Sequence, residues 1–64
     1  MEANKMNRAE QKNKSEELLA YGTFKADVET VEKDGFRRIR VIECNNKKYF
    51  HHMFNGELIE CYEI

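Results

Sequence analysis

Three tight-turn signals fall at near-even spacing in the second half of the chain: Asp34-Gly35, Asn45-Asn46 and Asn55-Gly56. Asp, Asn and Gly tolerate the positive φ that two-residue hairpin turns demand, so each pair reads as a reversal between antiparallel strands. The flanking residues agree. Phe24, Ala26, Val28 and Thr30 alternate with Lys25, Asp27, Glu29 and Val31, the twofold period of a strand with one apolar face. Phe36 to Glu43, Lys48 to Phe54 and Glu57 to Ile64 supply three more strands. No proline, repeat or linker interrupts them, so a four-stranded antiparallel meander in the order 1-2-3-4 is expected.

Ahead of the strands, Ser15-Glu16-Glu17-Leu18-Leu19-Ala20-Tyr21-Gly22 reads as the end of a helix, with Gly22 where chains commonly leave in the left-handed conformation. Asn7 and Glu10 have the spacing of a capping box, which would start the helix near Asn7. Met1 to Lys14 is nearly all polar and lacks an apolar stripe, so it is either frayed helix or disordered tail. The fold class expected is therefore α+β, with residues 15–64 as a single domain and the helix packed on one face of the meander.

Two-residue turns fix pairing. The first turn sets Glu29 opposite Arg40, Val28 opposite Val41 and Thr30 opposite Ile39. The second sets Val41 opposite Phe50 and Ile39 opposite His52, and the third sets Phe50 opposite Cys61 and His52 opposite Ile59. One face then collects Phe24, Ala26, Val28, Thr30, Ile39, Val41, Phe50, His52, Phe54, Ile59 and Cys61, and is the expected core beneath Leu18, Leu19 or Tyr21. The other carries a row of Glu29, Arg40, His51 and Glu60, flanked by Asp27, Ile42, Tyr49, Tyr62, Val31, Arg38, Met53 and Leu58. Aromatics, Met and Arg are the residue types enriched where proteins dock. Arg38, Arg40, Tyr49, His51, Met53, Leu58 and Tyr62 are accordingly the expected partner-binding set. The partner is another protein or a second copy of the chain.

Charge narrows the alternatives. Eleven basic and twelve acidic residues leave a formal charge of -1, against broad nonspecific binding of nucleic acid. A local cluster of Arg37, Arg38, Arg40, Lys47 and Lys48 beside Tyr49 and Phe50 nevertheless resembles a single-stranded nucleic-acid platform, and stands as the second expectation.

Catalysis and metal binding have less support. His51 and His52 are adjacent in a strand and point to opposite faces, and no CxxC or HxxxH spacing appears, so neither a metal nor a cofactor is expected. No accessible acid-base pair surrounds a pocket, so no enzymatic activity is expected. Cys44 and Cys61, expected on opposite sheet faces, read as free thiols of a cytoplasmic chain. The apolar runs fall far short of the roughly 20 residues a bilayer needs, and no apolar segment follows the N-terminal lysines, so neither a membrane partner nor a signal peptide is expected.

Overall fold

The computed structural model describes residues 6–64. Helix α1 (Arg8–Tyr21) is followed by strands β1 (Thr23–Glu32), β2 (Gly35–Cys44), β3 (Lys47–Phe54) and β4 (Glu57–Glu63), in one antiparallel sheet of order β1-β2-β3-β4. Helix α1 contacts β4 and β2. No helix among the described residues is long and apolar enough to cross a membrane.

The capping box forms: Asn7 Oδ1 accepts from the Glu10 amide at 2.9 Å, and Glu10 Oε1 accepts from the Asn7 amide at 3.0 Å. Residues 8–14 of the polar N-terminal segment are thus the first half of α1, while residues 1–5 lie outside the described part of the chain. Gly22 is extended (φ −79°, ψ 165°) rather than left-handed, which corrects the expected reason for a glycine there. A Cβ at Gly22 would run into Ile42 Cγ2 and the Leu18 carbonyl, so the residue is small because helix and sheet meet at that point.

The second turn is as expected, with Asn45 and Asn46 both at positive φ (55° and 65°) and Val41 opposite Phe50. The first turn centres on Lys33 and Asp34, with Glu32 opposite Gly35, one position earlier than expected. Its pairs move by two residues, so that Asp27 faces Arg40, and side-chain parity is preserved.

Two bulges do change parity. In β1, Phe24 pairs with Ile42 and Ala26 with Val41, leaving Lys25 extra. Phe24 therefore lies on the face of Arg40, whose guanidinium sits 4.9 Å from its ring centroid. In β4 the pairing is as expected beside the turn, Met53 opposite Leu58, and then slips past Ile59 so that His52 meets Glu60, His51 meets Cys61 and Phe50 meets Tyr62. Cys61 thereby moves to the His51 face and Glu60 and Tyr62 leave it.

The larger correction is which face the helix covers. The buried apolar residues are Leu18, Ile42, Cys44, Tyr49 and Cys61, with Leu58 packed against them. Core and open face are reversed from expectation: Val28, Ile39, Val41, Phe50, His52, Phe54 and Ile59 are not buried. Cys44 and Cys61 share the covered face and are free thiols.

The stripe that α1 lays on the sheet is mostly polar, which is why it leaves no apolar signature. Arg8 donates to the carbonyls of Leu58 and Ile59, on either side of the bulge. Gln11 Oε1 accepts from the Cys61 amide at 3.1 Å, Ser15 meets His51, and Leu18 fills the core. The spacings of three and four place all of them on one side of α1. Arg8 and Gln11 satisfy backbone groups that β4, an edge strand, does not share with β3.

Asn55, at φ 51°, joins the first and third turns. Its Oδ1 accepts from the Phe36 amide at 3.0 Å and its Nδ2 donates to the Asp34 carbonyl at 3.3 Å. Replacing Asn55 by Gly keeps the positive φ at no steric cost and removes only these links, so urea unfolding of Asn55→Gly should show a loss of about 1–2 kcal/mol. An unchanged midpoint would mean that the turns are not coupled.

Candidate functional site

The residues expected to form a binding face divide among three environments. His51 is fully buried and Tyr49 nearly so, both under α1. Tyr62 lies on the opposite face, stacked on Phe50 with ring centroids 5.2 Å apart and planes 28° from parallel. Arg38, Arg40 and Met53 come together with Phe36, Asn55 and Gly56 around a cleft of about 160 Å³, while Leu58 packs at the core margin.

The buried pair is Ser15 Oγ and His51 Nε2, 2.7 Å apart. Burial, and next to it the positive charge of Arg40, holds the His51 pKa below its ordinary value. His51 Nδ1 has no hydrogen-bond partner among the described residues, so no acid orients the ring as nucleophilic catalysis would need. Burial likewise pushes the neighbouring Cys61 thiol up, away from the reactive thiolate. Sealed beneath α1, the serine and histidine join helix to sheet.

The cleft is smaller than the roughly 300 Å³ at which ordinary ligand pockets begin. Its arginines are already engaged. Arg38 Nε donates to Asp27 Oδ1 at 2.9 Å, and Arg40 Nε lies 3.4 Å from the same oxygen, close enough for an ion pair but not aligned for a hydrogen bond. The hydrogen bond from Arg38, with the charges of both arginines, holds the Asp27 carboxyl below its usual range.

The open face has a different character. Four groups, one from each strand, cross it as a continuous ladder. Glu32 accepts from Arg37 Nε and Nη2 at 2.7 and 3.1 Å, Arg37 Nη1 meets His52 Nε2 at 2.6 Å, and His52 Nδ1 meets Glu60 Oε2 at 3.2 Å. A guanidinium only donates, so His52 Nε2 accepts and the ring proton sits on Nδ1, donated to Glu60. The hydrogen bond and charge of Arg37 hold the Glu32 carboxyl below its usual range. A cross-strand charge row was expected, but on the other face and through Glu29, Arg40, His51 and Glu60; only Glu60 belongs to both. Beside the ladder lie Ala26, Val28, Ile39, Val41, Phe50 and Tyr62, Val28 being 58% exposed. No sequence signal marked these as surface, because both faces of β2 and β3 carry apolar residues.

The cations of the nucleic-acid expectation do not share a face. Register puts Arg37 and Lys48 on the open side and Arg38, Arg40 and Lys47 on the helix side. Among the described residues no group of three or more His, Cys, Asp or Glu side chains is placed to hold a metal. No family model matches the chain, and no curated protein or solved structure matches it either.

The depressed His51 pKa gives a signed prediction. Above about pH 6.5 the ring is neutral whether the chain is folded or not; below it the unfolded chain takes up a proton that the folded one resists. Stability is therefore full above that pH and falls on acidification, until the pH drops below the folded-state pKa. The His51 ring resonance in the folded protein should titrate with a midpoint below 6.5, and a midpoint at or above 6.5 would contradict a buried neutral ring.

Proposed function

We propose that the protein is a noncatalytic interaction module of the cytoplasm that docks another protein through its open sheet face. The observation that carries this reading is the face itself: among the described residues no element packs over Val28, Ile39, Val41, Phe50 and Tyr62, the first exposed and the other four half-buried, while the charges among them are bonded to one another. Uncovered apolar surface with a polar border is characteristic of protein docking sites. Satisfied charges lower the cost of removing water from it, since none of the ladder groups is left without a partner on burial. Two free, buried thiols agree with a reducing compartment.

The docking residues differ from those read in the chain alone. Of that set only Tyr62 is on the open face; Tyr49 and His51 support it from behind as core.

Affinity enrichment with the tagged full chain tests the reading. Val41→Glu places a carboxylate at the centre of the face and should reduce captured partner by roughly 30-fold or more, the scale of an interface hot spot. Glu29→Lys, an exposed change on the helix side, should leave capture intact. Equal capture by wild type and a folded Val41→Glu would remove the open face as the docking surface.

A further inference from the structure

We infer that the occupant of the open face is a second copy of this chain, packed sheet to sheet about a twofold axis lying in the interface and running across the strands. This rests on the reading of the face as a docking surface and adds the partner.

The charge pattern carries the inference. On this face the ends of β1 bear Lys25 and Glu32, and the ends of β2 bear Glu43 and Arg37, opposite signs in each case. A twofold across the strands lays each strand over its own copy with the ends exchanged. Register then decides what meets. With the axis between the row Ala26, Val41, Phe50, Tyr62 and the row Val28, Ile39, His52, Glu60, Val41 faces Ile39 of the other copy and Ala26 faces Val28. One row further out, Glu43 comes opposite Arg37, and Lys48 lies over Phe54 beside Glu57. At the tilt of about 30° usual for stacked sheets, Lys25 lies within a row of Glu32. The same twofold turned along the strands would set β1 over β4, with Glu43 over Lys48 at one end but Glu32 beside Glu57 at the other, so only the axis across the strands brings no like charges together. An unrelated partner has no reason to match this alternation, whereas the chain matches itself.

Area and core size agree. Four strands of about eight residues present roughly 19 by 26 Å, or roughly 500 Å² per copy. Two copies bury roughly 1,000 Å², the lower limit of a specific interface. Small domains commonly need a disulfide, a metal or a second subunit beyond their core. Here the buried apolar core is a handful of side chains and both cysteines are free.

Sedimentation of the full chain over a concentration series tests this. Wild type should be dimeric at tens of micromolar. Val41→Glu, and independently Val28→Glu at an exposed position whose fold is easily retained, should each weaken association at least tenfold with unchanged circular dichroism. Glu43→Arg should weaken it, because like charges then meet at Arg37 across the axis. A wild type that stays monomeric, a dimer indifferent to both Val variants, or a dimer indifferent to Glu43→Arg would overturn the inference. A monomeric wild type whose capture of a different protein still depends on Val41 would overturn the second copy alone and leave the docking face standing; loss of both would remove both.

Discussion

The 2.7 Å contact between Ser15 and His51 is the polar link between helix and sheet in the interior, and the orientation of every strand residue follows from it. With His51 turned toward α1, the twofold period of β3 sends Tyr49 the same way and Phe50 and His52 the opposite way. Pairing carries that choice into β2, where Ile42 and Arg40 face the helix and Ile39 and Val41 face out. A buried imidazole is tolerated because it is neutral and hydrogen bonded at Nε2; left with neither, it would cost more than the small core around Leu18 and Ile42 returns.

The bulge at Ile59 makes the arrangement possible. Without the extra residue Cys61 would look outward and Glu60 would sit beside His51 beneath the helix, an anion in the core. With it, Cys61 fills the space next to His51, and Glu60 completes the ladder through His52, Arg37 and Glu32. Arg8 holds the irregularity in place by taking the Leu58 and Ile59 carbonyls. Helix, bulge and open face are thus one mechanical unit: α1 caps the edge of β4 and covers one face, and the other face is left open.

Much of the fold was legible in the chain. Asn45-Asn46 and Asn55-Gly56 marked two reversals at the right residues, Asp34-Gly35 marked a third within one position, and Asn7 with Glu10 marked the start of the helix. Which face lies open was not. The choice between faces turned on α1, whose inward residues Arg8, Gln11, Ser15 and Leu18 carry one apolar side chain among them, so periodicity had nothing to detect. Nor did it detect the bulges. Lys25 and Ile59 are ordinary strand residues, and nothing in their identity marks the positions where the register slips.

Local chemistry in the chain determined where it reverses, where the helix begins and that the strands pair in sequence, because turns and caps are settled by residues within a few positions of one another. Tertiary structure alone decided which face is buried, since β2 and β3 are apolar on both sides and either could have served as core. The decision lay with contacts between residues some 36 to 51 positions apart, Ser15 with His51 and Arg8 with Leu58 and Ile59, whose energies exist only once helix and sheet have met.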